Sequence, residues 1–262
     1  MRRIIIYLIL VFLLLPFLYG GCGGDGDGKV VKLFGTTLGN GTLGESVLVM
    51  LNPESGAFMS TIGPVGYYVN GLEYNMVNDT LYATTSTKDP VFPNGLIEID
   101  MMTGISTTIG GGAGSQINNP TVNSFGEIFA WSTLDPNLLT VNSVSGVATT
   151  VGDLGIGLTP GGGGLAFDNT DNLYLVTYGA SIYTLDASTG AATFFSDIPG
   201  TSIAHHGDFH PKTDLYWGLS PDPWDWQSDP SRDLLVIDVN LPAIIDSLAT
   251  VEYLHAVSFY YD

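Results

Sequence analysis

Three of the four histidines in this 262-residue chain, His205, His206 and His255, are among the side chains best able to hold a metal or move a proton near neutral pH. Asp208 follows His206 by two positions, and neutral imidazoles with a carboxylate are competent ligands for zinc, copper, iron or nickel. Their spacing matches no zinc motif, and the same groups would serve equally to satisfy backbone and water inside a channel, so a metal or other cofactor stays an open question. Trp224 and Trp226 form a second group, in "SPDPWDWQSDPSRD" (220–233) among Asp222, Asp225 and Asp229. Their rigid amphipathic rings suit a sugar face or a protein surface, or a local plug folded back over the core. The third group is the acid pair Glu73 and Asp208, which could flank a glycosidic bond if the fold brings the two together.

Other motifs fail on context. "GGGAGS" (110–115) and "TPGGGG" (159–164) have no Lys-Ser/Thr ending and open no helix, so they do not cradle phosphate. No G-x-S-x-G elbow offers a hydrolase nucleophile.

A repeat positions these residues. "SVLVMLNPESGAFMSTIG", "GLIEIDMMTGISTTIG", "NLLTVNSVSGVATTVG" and "SIYTLDASTGAATFF" each read as strand, tight turn, strand. Asn52, Asp100, Asn142, Asp186 and Asp238 end the first strands, at spacings of 48, 42, 44 and 52 residues. Gly56, Gly104, Gly146 and Gly190 close the first four turns, and the fifth copy lacks the glycine and must turn differently. Ahead of each hairpin lies a second pair, as in "GLEYNMVNDTLYATT", "PTVNSFGEIFAWS", "GGLAFDNTDNLYLVT" and "HGDFHPKTDLYWGLS": a short apolar strand, a polar turn and an aromatic-rich strand. One unit therefore has four strands, A to D, at the size of a propeller blade.

The ends are complementary. "VVKLFGTT" begins at a strand B with no strand A, and "HAVSFYYD" is a strand A with nothing after it. The expected fold is all-β: a five-bladed β-propeller of four-stranded antiparallel blades, closed by the C-terminal strand A joining N-terminal strands B, C and D. Aligning the entries to strand A gives Asn70, Asn118, Gly163, His205 and His255, then Gly71, Asn119, Gly164, His206 and Ala256. Glu73, Thr121, Ala166, Asp208 and Ser258 share a later column. The three histidines thus gather at one channel mouth with Asp208 just inside, and the Trp-bearing B-to-C loop shares that face. The corresponding loop of the fourth blade is little more than "YGAS". His210 falls in an A-to-B turn, toward the opposite face.

The phrase L-A-F-D … N-L-Y … D-x-x-T-G-x-x-T, carried by residues 165–193, resembles secreted bacterial propeller repeats near the NHL, YVTN and quinoprotein-like groups. The resemblance covers residues 29–262. It implies the fold and no particular activity, because propellers host binding scaffolds, lyases, hydrolases and dehydrogenases alike.

Arg2, Arg3, the apolar run Ile4–Tyr19 and "GGC" have the order of an export signal. Gly20, Gly21 and Cys22 resemble the lipobox of bacterial lipoproteins, with Tyr19 where that family usually has Leu. The resemblance implies a signal peptide over 1–21, a lipidated Cys22 and a flexible tether over 22–30 ahead of the propeller at 31–262; an ordinary secretory signal with an incidental Cys is the other reading. Gly23, where a retention signal would have Asp, implies outer-membrane delivery in a cell with two membranes. Without its leader the chain has five basic residues against 26 acidic ones, a net charge near −21. Such a surface repels nucleic acid and anionic lipid, leaving the lipid anchor as the sole contact with membrane. The expectation is an exported, lipid-anchored module that binds a glycan or envelope protein without catalysis. The alternative is a metal- or carboxylate-dependent lyase or hydrolase acting on an extracellular polymer or small molecule.

Overall fold

Each hairpin begins with the same side-chain bond. Asn52, Asp100, Asn142, Asp186 and Asp238 accept, on one side-chain oxygen, hydrogen bonds from the N–H groups two and three residues on. These local bonds reverse the chain before any tertiary contact forms. In the first four copies the glycine at the fifth position donates its N–H to the backbone carbonyl of the first, at 2.8 Å. In the fifth copy Pro242 stands there and has no N–H to donate. That turn therefore keeps the opening bonds and loses only the closing one, a smaller departure than the sequence implies.

A computed structural model describes residues 30–38, 45–157, 163–199, 206–220 and 232–262, which form twenty strands and no helix. The first blade combines the two ends: β20 (Leu254–Tyr261), β1 (Val31–Leu38), β2 (Ser46–Leu51) and β3 (Phe58–Pro64), in that order across the sheet. The second runs β4 (Val69–Asn75), β5 (Thr80–Thr85), β6 (Leu96–Ile99) and β7 (Ser106–Ile109), and the third β8 (Asn118–Val122), β9 (Ile128–Trp131), β10 (Asn137–Val141) and β11 (Ala148–Asp153). The fourth is β12 (Gly163–Phe167), β13 (Leu173–Thr177), β14 (Ser181–Leu185) and β15 (Ala192–Asp197). The fifth is β16 (Gly207–Phe209), β17 (Tyr216–Leu219), β18 (Asp233–Asp238) and β19 (Ala243–Ala249). All pairings are antiparallel. The closure runs from Val31 opposite Tyr261 to Thr37 opposite Leu254, and Val30 N–H donates to Asp262 Oδ1 at 2.9 Å. The expected five-bladed ring is the observed fold.

The core is divided five ways, one cluster between each pair of neighbouring blades. Leu33, Leu51, Leu219, Leu234, Leu254 and Phe259 join the fifth blade to the first, and Phe34, Leu48, Leu72 and Ile97 join the first to the second. The aromatic B strands supply much of this packing, with Trp131 and Tyr216 fully buried. On the rim, hairpin tips rest on the preceding blade. A Cβ on Gly104 would lie 2.6 Å from the Gly63 carbonyl oxygen, and one on Gly190 would lie 2.6 Å from that of Gly152. These glycines serve twice: their positive φ closes the turn, and their missing side chain admits the neighbour.

Gly164 and Gly207 make a similar space inside. A Cβ at either would strike the Tyr216 hydroxyl, which lies between the two inner strands and has no hydrogen-bond partner among the described residues. Gly164→Ala is expected to cost about 2–3 kcal/mol by overpacking, lowering the melting temperature by about 5–10 °C. Tyr216→Phe alone is expected to be neutral or stabilising, since it deletes an unsatisfied buried hydroxyl. In that background the Gly164→Ala cost, read by thermal denaturation, should fall by at least half. An equal cost in both backgrounds would place the strain elsewhere.

Candidate functional site

The inner strands β20, β4, β8, β12 and β16 contact one another in that order around a central channel. The A-to-B turns at one end repeat a single device. Asn75, Asn123, Asp168 and His210 each accept N–H bonds from residues further along their own turn. His210 does so through Nδ1, from Lys212 and Thr213 at 3.1 and 3.2 Å. Its ring is therefore neutral with the proton on Nε2, packed 4.8 Å from the Phe259 ring. It is a turn residue.

Just inside that end, the five inner strands share a belt of hydrogen bonds that explains the acid pair. Ser258 Oγ accepts from Tyr74 N–H of the next blade at 2.9 Å, Glu73 Oε1 from Val122 N–H at 3.0 Å, and Thr121 Oγ1 from Phe167 N–H at 3.1 Å. Asp208 Oδ2 accepts from Phe259 N–H at 2.8 Å. Each polar side chain in the column bonds the residue one past its counterpart in the following blade. Thr121 and Ser258 also donate their hydroxyls to Glu73 and Asp208 at 3.3 and 3.4 Å. Ala166 is the gap, and the Phe209 N–H it leaves unserved donates instead to Asp208 Oδ1 at 2.7 Å. A carboxylate at 208 therefore satisfies two N–H groups where a hydroxyl could satisfy one.

Both acids are nearly buried, Glu73 at 6% and Asp208 at 8% exposure. Burial pushes Asp208 up to about 6, against its backbone donors. Burial and then the Asp208 charge hold Glu73 well above the usual carboxylate range. Both line a cavity of about 330 Å³ at the A-to-B end.

Asp208 thus lines this cavity with Glu73, whereas His206, two residues before it, does not. His206 is fully buried. Its Nε2 lies 3.3 Å from the Pro120 carbonyl of β8. Since β12 separates β16 from β8, the imidazole reaches across the channel, and because a carbonyl only accepts, Nε2 carries the proton. Burial draws this histidine down to about 4, so it stays neutral at ordinary pH.

His255 lies at the opposite mouth from the acids, its ring 5.7 Å from that of Tyr68. Arg232, buried immediately before β18, donates to the Ser220 carbonyl at 3.5 Å. Burial raises the Tyr68 phenol, and the Arg232 charge partly offsets this. Arg232 and Tyr68 are the residues that sequence reasoning missed here. One signal was available, because Arg232 is among the few basic residues after the leader and stands at the foot of the Trp loop. On the same rim Asn70 donates to Asn118 Oδ1 at 2.7 Å and accepts from Thr84 at 2.7 Å, which satisfies the amides without a ligand. His205, Trp224, Trp226 and Cys22 lie outside the described residues. Among the described residues no three His, Cys, Asp or Glu side chains gather as a metal site.

No family model and no curated protein matches the sequence. Among solved structures, a chain in a nidogen/laminin complex is similar at a TM-score of 0.52 and 13% identity, over 88% of this chain and 98% of that one. A protein of unknown function from Bacteroides caccae gives 0.49 at 10% identity, over 88% and 99%. Virginiamycin B lyase from Staphylococcus aureus gives 0.43 at 16% identity, and the similarity spans 80% of this chain but only 63% of the lyase. At such identities the likeness concerns architecture alone, and on its own strand order and closure the chain is a five-bladed β-propeller.

Proposed function

We propose that this protein is an exported, lipid-anchored propeller that binds an envelope protein or glycan without catalysis, using the face of the D-to-A and B-to-C connections. The observation that carries this reading is the convergence of Tyr68, His255 and buried Arg232 at that mouth, directly at the foot of the long 220–233 connection. An aromatic and guanidinium cluster is the usual make-up of an interaction hot spot. The described acids support the non-catalytic part, since each accepts bonds that hold neighbouring blades together. The nidogen/laminin structure is that of a protein complex, in keeping with a partner-binding role.

Trp224→Ala with Trp226→Ala is expected to reduce retention of envelope-extract proteins or arrayed glycans at least tenfold while leaving the melting temperature within about 2 °C. Unchanged retention would remove this face from consideration. Cys22→Ser should move the protein from the membrane to the soluble fraction of exporting cells, and unaltered membrane association would refute the lipid anchor. A second reading, an enzyme, is favoured by one observation, the two acids with raised proton affinity facing a common cavity. Turnover of an extracellular substrate abolished by both Glu73→Gln and Asp208→Asn would establish it. A stoichiometric transition metal lost on His205→Ala would favour its metal-dependent form.

A further inference from the structure

The A-to-B mouth holds a cavity that the proposed recognition face does not use. Its about 330 Å³ sit at the small end of the range of ligand sites, and Phe167, Phe259, Val122 and Tyr74 supply its apolar wall. Glu73 and Asp208 supply its polar end, and among the described residues no Lys or Arg lines it. Glu73 uses only Oε1 to accept protein hydrogen bonds, from Val122 and Thr121. Among the described residues no donor reaches Oε2 of this nine-tenths-buried side chain, while the residue faces the cavity. A buried carboxylate oxygen without a donor or counter-charge is costly, and a second carboxylate nearby adds to that cost. A guest with donors and positive charge relieves both.

We propose that this cavity binds a small organic monocation, a primary ammonium on a short aliphatic chain, with its nitrogen on Glu73 Oε2 beside Asp208 and its chain against Phe167 and Phe259. An ammonium has three N–H donors and no acceptor, which matches an end made of acceptors. The aromatic walls add attraction for the cation and cover for the chain. A calcium ion wants 6–8 oxygen ligands, whereas most oxygens here already serve backbone N–H groups. The strong net negative charge of the chain concentrates such cations around it.

Calorimetric titration of the purified protein with n-butylammonium, n-butanol, butyrate and calcium chloride tests the assignment. At pH 8, butylammonium is expected to bind at least tenfold tighter than butanol, with butyrate and calcium not binding. Glu73→Gln should weaken butylammonium at least tenfold, and the double Trp224→Ala, Trp226→Ala variant should not change it. The last result separates this site from the recognition face, whatever becomes of that face. Wild-type protein gives a second readout that needs no variant. The titratable groups facing the cavity are Glu73, Asp208, Asp168, Asp171, Tyr74 and Tyr261. Protonating Asp208, whose carboxyl burial raises to about 6, should weaken butylammonium at least tenfold between pH 8 and pH 5. Equal binding of butanol, affinity independent of pH, or undiminished affinity in a folded Glu73→Gln protein would each overturn the proposal, as would calcium binding that requires Glu73.

Discussion

Deletion of residues 254–262 is expected to abolish cooperative unfolding and leave an aggregating chain. The segment is β20, whose Leu254, Ala256, Val257, Ser258 and Phe259 are all nearly or fully buried. Leu254, Val257 and Phe259 belong to the core between the fifth and first blades, and Ala256 to the core between the first and second. Burying three such large side chains contributes about 5–9 kcal/mol. Each ladder hydrogen bond to β1 adds about 1 kcal/mol. The sum equals or exceeds the whole stability of a typical domain, about 5–15 kcal/mol. The loss is also topological, because without β20 both flanking cores open to water and β1 becomes a bare edge. A synthetic peptide of residues 251–262 added to the truncated chain should restore a cooperative melt. A truncated protein that still melts cooperatively within a few degrees of the intact one would show that the ring does not depend on this closure.

Glu73→Gln is expected to raise the melting temperature at pH 8 by about 5 °C, within the range of about 2–4 °C per kcal/mol. The substitution keeps an oxygen to accept from Val122 and Thr121 and removes the carboxyl whose ionisation burial and the Asp208 charge oppose. The sign follows from linkage. Both acids have folded proton affinities above their unfolded ones. The native state therefore holds protons that the unfolded chain has released, and stability falls as pH rises from the unfolded value through the folded one. For Asp208, raised from 3.8 to about 6, that loss is about 3 kcal/mol and is complete near pH 7. His206 works the other way. Its affinity is lowered from 6.5 to about 4, so stability is lost as pH falls between those values. Between pH 4 and pH 6.5 the Asp208 and His206 contributions run in opposite directions and largely offset. A fall on the alkaline side is therefore the mark of Glu73, and Glu73→Gln should flatten it. Melting curves from pH 4 to pH 9 read this directly. A variant that melts lower than wild type at pH 8 with the same alkaline slope would mean that the Glu73 charge is already compensated in the native protein.

The repeated hairpins, the blade count and the closure were legible in the sequence because their causes are local or additive. An Asn or Asp bonding two N–H groups within three residues, and a glycine four residues on, act inside one turn. Half a blade at each end leaves one pairing that hides both edges. The column of Glu73, Thr121, Ala166, Asp208 and Ser258 was legible too, as a register. Its meaning was not, because four of the bonds that join the blades come from backbone N–H groups of the next blade, and backbone carries no sequence signature. That Asp208 lines a cavity without His206 was not legible for a related reason. Two residues along a strand span about 6.6 Å, enough to separate a side chain that bridges the channel from one that lines its far mouth.

The amino-acid sequence alone determined that this chain closes into a ring of five four-stranded blades, since short-range turn chemistry and complementary ends leave no other economical arrangement. Only the tertiary structure decided what the polar residues of the channel do. It set Arg232 and Tyr68 near His255, and sent the His206 ring across to Pro120. It also left one oxygen of Glu73 facing a cavity without a donor. Those outcomes depend on which groups remain unsatisfied once the blades are packed, a quantity that exists only in three dimensions.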